Sequence, residues 1–274
     1  MTDYLAIARR KISRPKPKLP SMVIYGRNKK GKTRLCASAP DVLILDPEGG
    51  TSAETVDVWP IEHWEDLNEA LQALKSGVKG TTGKPYQWVA LDGCTRFASM
   101  ALTFFQGKSD PKGSIGSKPA QRRIQDFGGA GELFKSMVLN FLTLPMGVIF
   151  TAQERMVEPQ QSPQGLPEED SDGLSCFLVP DLPRGCRSTL NAAVDLIGRV
   201  YTTTEEKTKR VKVNGKIEIR EYREIQRRLW IAPHEAYDTG YRTDLPNLPD
   251  YLTNTTVPLI VSTIRRSSTN GSNQ

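Results

Sequence analysis

Cysteine and histidine are scarce in this chain of 274 residues, which has four of the first and two of the second. Cys36, Cys94, Cys176 and Cys186 stand far apart and form no C-x-x-C pair, which argues against a zinc site and against a disulfide framework. His63 and His234 are isolated, so neither a histidine metal cluster nor a catalytic triad is supported. No apolar run approaches the roughly 20 residues a membrane helix needs. No apolar stretch of signal-peptide type follows the N-terminal charges, so a secretory leader is not expected. These absences make a reducing cytoplasm the expected setting.

What is present is enough apolar material for a core, 38% of the residues, and an uneven charge. The net charge is +6, yet residues 1–36 hold eleven basic side chains and one acid, so that segment is +10 and the rest of the chain is −4. A body that acidic does not bind polyanions generally, and any nucleic-acid contact is expected to be local. The first 20 residues read as a basic arm: the alternating prolines of Arg14-Pro15-Lys16-Pro17-Lys18 favour an extended, solvated chain. Residues 21–261 read as one domain, and the Ser/Thr/Asn-rich segment 262–274 as a frayed tail.

Within the domain, apolar runs alternate with helical stretches. Met22–Tyr25, Val42–Leu45, Val56–Trp59, Trp88–Leu91 and Val148–Thr151 read as strands. Trp64–Lys75, Arg96–Phe105 and Gly131–Leu142 read as helices. Continuous apolar strands separated by helices predict an α/β fold whose mostly parallel central sheet is covered on both faces. Two long loops interrupt the rhythm, Gln106–Gly131 and Met156–Arg187. Val194–Thr202 and Arg210–Ile231 read as further strands, with Asn214-Gly215 turning a C-terminal hairpin.

The sharpest motif is Gly26-Arg27-Asn28-Lys29-Lys30-Gly31-Lys32-Thr33, a match to G-x-x-x-x-G-K-[ST] between a strand and a helix that opens at Arg34. Its glycines let successive N–H groups face phosphates. Lys32 reaches the β and γ phosphates, and the Thr33 hydroxyl ligates Mg²⁺. The following helix adds its N-terminal dipole. Asp92, at the end of an apolar strand, supplies the second metal ligand. These residues predict a site for ATP and Mg²⁺.

With the phosphate loop and Asp92 in place, the chain resembles the RecA-like P-loop ATPase core. More closely, it resembles the phage RecA-like single-strand annealing proteins, a phage AAA-type ATPase family, over roughly residues 19–252. Leu45-Asp46-Pro47-Glu48-Gly49-Gly50 is similar to that family's second-strand ending, which implies that Glu48 polarises the attacking water. Phe150-Thr151-Ala152-Gln153 is similar to the fourth-strand ending, which implies that Gln153 senses the γ-phosphate. Asp126-Phe127-Gly128 resembles an aromatic-glycine element ahead of the next helix. Tyr241-Arg242-Thr243 falls where the family has a basic K-x-R stretch, with Gly240 in place of the lysine. The resemblance implies that Arg242 reaches a neighbour's nucleotide in a ring or filament. It also implies a phage protein that handles single-stranded DNA in the host cytoplasm. Plainer readings stay open: Glu48 as a turn cap, Gln153 as a buried hydrogen-bonding group, Arg242 as a surface charge.

Candidate DNA contacts are Arg9, Arg10 and Lys11 in the arm, and Lys108, Lys112, Lys118, Arg122 and Arg123 in the first loop, whose net charge is +3. The second loop is acidic and repels a phosphate backbone, which favours a different partner, a protein of the replication or recombination machinery. The ribbon Lys207–Arg228 alternates in sign and reads as exposed and salt-bridged. A small-molecule kinase is a third reading, weakened by the acid-rich second loop.

Overall fold

The computed structural model describes residues 18–107, 124–157, 177–213, 216–242 and 248–269. The candidate DNA contacts Arg9, Arg10, Lys11, Lys108, Lys112, Lys118, Arg122 and Arg123 lie outside them, as do most of the acidic second loop and Asn214-Gly215.

Ten strands form one sheet among the described residues. They are β1 (Ser21–Gly26), β2 (Val42–Asp46), β3 (Asp57–Pro60), β4 (Trp88–Asp92), β5 (Gly147–Val157), β6 (Phe177–Pro180), β7 (Leu196–Val213), β8 (Lys216–Trp230), β9 (Gly240–Tyr241) and β10 (Tyr251–Thr253). The order is β10-β8-β7-β1-β5-β4-β2-β3, with β6 on β5 and β9 on β7. β7, β1, β5, β4, β2 and β3 pair in parallel, and the rest antiparallel. The fold is therefore α/β, with a mostly parallel sheet flanked by helices.

Alternation along each strand explains the unbroken apolar runs, because each face of the sheet has its own cover. Val23, Tyr25, Val89, Leu91, Val148 and Phe150 pack under four helices, α2 (Asp66–Lys75), α3 (Cys94–Phe105), α4 (Ile124–Leu142) and α5 (Arg184–Ala193). Met22, Ile24, Ile44, Ala90 and Ile149 pack against α1 (Lys32–Ala37) and α6 (Val257–Thr269). On α2, Leu67, Ala70, Leu71 and Leu74 fall at helical spacing and are all buried.

Several boundaries differ from the sequence reading. α4 begins at Ile124, so Asp126-Phe127-Gly128 lies in the helix and not ahead of it, and Phe127 is half exposed on its surface. The second loop narrows, because β5 continues to Val157, β6 pairs back on it, and α5 starts at Arg184. α6 runs to Thr269, past residue 262, where a frayed tail was expected; its buried Val257 and Ile260 and half-buried Val261 and Ile264 dock on the core. β7 is a single strand through 203–209, a segment with no apolar signal, because β8 pairs with it residue for residue. From Thr202 to Val213 and from Lys216 to Arg227 the two strands pair only with each other, a ribbon roughly 40 Å long at ~3.3 Å per residue. Its expected cross-strand ion pairs are present: Lys207 with Glu224, Arg223 with Glu206 at 3.4 Å, and Arg228 with Glu205 at 2.6 Å.

Candidate nucleotide site

The C-terminal ends of β1, β2 and β4 and the middle of β5 converge on a cavity of about 650 Å³, the place where open parallel sheets hold ligands. Its walls bring together Asn28, Lys29, Gly31, Lys32, Thr33, Arg34, Glu48, Asp92 and Gln153. Every site residue proposed for this chain's own nucleotide is there except Gly26, Arg27 and Lys30. Gly26 ends β1 and its carbonyl accepts from Lys32 Nζ, and the other two turn away: Arg27 Nε lies 3.3 Å from Glu154 Oε1, and Lys30 Nζ donates to Thr202 Oγ1 at 2.8 Å. Glu154 also receives Arg199 Nε at 2.6 Å, and its side chain is only 3% exposed.

Both motif glycines are required by geometry. Gly31 sits at φ 94° at the N-cap of α1, where a side chain is strained. A Cβ on Gly26 would stand 2.4 Å from the carbonyl oxygen of Val200 on β7, so only glycine lets β7 pass.

Lys32 Nζ donates to the carbonyls of Gly26 and Arg27 at 2.8 and 3.0 Å. Burial lowers its pKa, against the opposing pull of Asp92 and Glu48. The charged head is thus held at the mouth of its own loop, with two carboxylates nearby. Asp92 accepts from Thr33 Oγ1 on one oxygen and Thr151 Oγ1 on the other, both at 2.6 Å. Because β5 lies between β1 and β4, its Thr151 aligns with Asp92 and its Gln153 with Gly26. Thr151 and Thr95 escaped the sequence reading. Thr95 Oγ1 accepts from the Gln153 N–H at 3.2 Å and donates to the Asp181 carbonyl at 3.0 Å.

The turn after β2 separates two carboxylates by role. Asp46 accepts from the N–H groups of Glu48, Gly49 and Thr51 and from the Thr51 hydroxyl. Both carboxylates line the cavity, Asp46 with its oxygens engaged as the turn cap and Glu48 without that role.

The hard oxygen donors Thr33 and Asp92, in contact with one another, suit Mg²⁺, which takes few protein ligands and completes its shell with phosphates and water. Among the described residues no group of three His, Cys, Asp or Glu could hold a metal by itself. Cys36 and Cys94 are buried, and burial raises both thiols, so neither serves as a nucleophile. His234 stacks on Tyr237, with ring centroids 3.8 Å apart, and its Nδ1 accepts from the Ala236 N–H. It has a packing role.

Arg242 is far from this cavity. Its N–H donates to the Asp195 carbonyl just ahead of β7, and its guanidinium donates to the Ala192 carbonyl, at the end of the sheet opposite the phosphate loop.

A strand–loop–helix phosphate cradle with a carboxylate on a nearby strand defines a P-loop nucleotide-binding protein. The chain belongs to the AAA domain family, whose model matches residues 18–243, which marks it as an AAA-type P-loop ATPase. No curated protein matches the chain. No described helix is long and apolar enough to cross a membrane.

Proposed function

We propose that the chain hydrolyses ATP with Mg²⁺ and uses the cycle to bind and anneal single-stranded DNA in phage-type recombination or replication. The observation that carries the ATPase half is the convergence of Lys32, Thr33, Glu48, Asp92 and Gln153 on one cavity. In this reading Lys32 exchanges its two carbonyl partners for phosphate oxygens, and the loop N–H groups hold the rest of the polyphosphate. Thr33 and Asp92 would hold Mg²⁺, which supplies neutralisation of the phosphate charge. Glu48 orients and polarises the attacking water. Gln153, on the strand that leads through β5 towards the second loop, reports the terminal phosphate to that loop. Arg242, turned away from its own cavity, completes a neighbour's site in a ring or filament.

The DNA half is supported by the resemblance to annealing proteins and by the positive charge of residues 106–131 and of the arm. ATPase rate with and without single-stranded DNA, paired with DNA titrations at two salt concentrations, tests it. Stimulation and a steep salt dependence support it; no binding at low salt overturns it. The second reading, an ATP-controlled loading factor for a protein partner, is favoured by Ile225, which is 70% exposed on the ribbon.

A further inference from the structure

The ribbon is rooted on the phosphate loop. Thr202 and Arg227 are cross-strand partners and share one face of it. Thr202 receives the Lys30 ammonium. The Arg227 side chain lies across Gly31, with its Cδ and Nε 3.1 Å from where a Cβ would stand. Arg227 lines the phosphate cavity, and it also lines an adjoining cavity of about 260 Å³ between α1, the root of the ribbon and Asn254–Thr256.

Arg34, on α1, also lines both cavities, and three further arginines in this neighbourhood are occupied. Arg27 and Arg199 are both taken by Glu154, and Arg228 is held by Glu205 and stacks over Tyr251. Among the described residues no carboxylate pairs with Arg227, although its backbone is fixed: its carbonyl accepts from the Asn254 N–H at 2.7 Å, and β10 pairs from Arg228 onward. An unpaired guanidinium on a fixed strand, lying on the loop that cradles phosphates, is a preorganised anion donor.

We propose that Arg227 binds the polyphosphate of the nucleotide held by its own chain, and so couples occupancy of the cavity to the ribbon. The proposal rests on the ATPase reading above. A bound polyphosphate gives Arg227 the partner it lacks and fixes the ribbon's root through two points, Arg227 directly and Thr202 through Lys30. The empty loop leaves only the second.

The test is displacement of a fluorescent ATP analogue by ATP and by inorganic tripolyphosphate, in the full chain, for wild type, Arg227→Gln, Arg227→Lys and Arg223→Ala. Losing one charge-assisted contact weakens both ligands by about tenfold or more in Arg227→Gln. Arg227→Lys recovers part of the loss, because the charge remains and the fork geometry does not. Arg223, 77% exposed and two same-face cross-strand pairs further out, is a control expected to match wild type. Hydrogen exchange over Thr202–Thr208 supplies a second readout. ATP slows it in wild type and leaves it unchanged in Arg227→Gln, a difference that a merely packing role would not give. Wild-type affinity in Arg227→Gln, or ATP protection of the ribbon that survives the substitution, overturns the proposal. If wild type itself fails to bind ATP, the ATPase reading falls first and this proposal with it. Wild-type affinity in Lys32→Ala has the same consequence. Should Arg227→Gln melt early, Arg227→Lys still decides: an affinity and exchange pattern intermediate between wild type and Lys32→Ala supports the contact, and an unchanged one overturns it.

Discussion

On one side of the nucleotide cavity stand β1, β2 and β4, buried on both faces and ending in Gly26, Asp46 and Asp92, beside β5, which carries Gln153 within its length. On the other stands the β7–β8 ribbon, rich in charge, which meets the cavity at its root through Arg227. The buried strands hold groups whose partners are set: both Asp92 oxygens are engaged and Asp46 is saturated. The ribbon holds groups that pair across solvent, where ion pairs contribute little. A site joined from these two parts has fixed chemistry on one wall and an adjustable contact on the other.

The contrast can be broken most directly at Lys32. Lys32→Ala is expected to cut ATP turnover by about a hundredfold or more, because the phosphate charge loses its main cation. Retained turnover would move the chemistry out of the buried half. Glu48→Gln should lower kcat by about a hundredfold while ATP affinity stays within about threefold, since only water activation is removed. A parallel loss of affinity would make Glu48 a binding group. Between the two halves sits Glu154, buried under Arg27 and Arg199. Glu154→Gln leaves Arg199, 12% exposed, without its carboxylate and should cost about 3 kcal/mol in urea unfolding; a cost below about 1 kcal/mol would show that the ribbon's root is not locked by this pair.

Smaller effects separate buried from solvated polar groups. Asp57 accepts from the Thr81 hydroxyl and N–H and from Tyr86, and these bonds hold its carboxyl below the usual range. A depressed carboxylate contributes stability that is present above its unfolded pKa of about 3.9 and is lost as the pH falls through its folded value. Asp57→Asn should therefore lower stability at neutral pH, leave it nearly unchanged in strong acid, and so flatten the acid limb of the curve of stability against pH measured by urea unfolding. Least of all, Arg223→Ala, which removes an ion pair exposed by about three quarters on both partners, should change stability by under about 0.5 kcal/mol.

The buried half was legible because its physics is local. An apolar run between a glycine-rich loop and a helix permits few alternatives, and Lys32, Thr33 and Asp92 follow from the motif and its strand context. The end of β2 was placed for the same reason, although the division of labour between Asp46 and Glu48 needed the hydrogen bonds, while β5 runs on to Val157 because β6 pairs with its polar end. The ribbon was legible in kind and not in detail. Segment 203–209 carries no apolar periodicity, since a two-stranded ribbon wetted on both sides needs none, and its continuity comes from β8 alone. Arg227 could not be told from the other bases of the ribbon, because what sets it apart is a contact with Gly31, almost two hundred positions earlier in the chain. Thr151 is marked only by its register against Asp92.

Lys32 grips two carbonyls of its own loop. A newcomer must therefore offer it more oxygen than the chain already does. Monovalent anions and single phosphates present too few atoms to compete at both the lysine and the loop N–H groups, whereas a chain of phosphates reaches them together. On the proposed reading of Lys32, its two carbonyl bonds would act as a threshold that favours long anions over short ones.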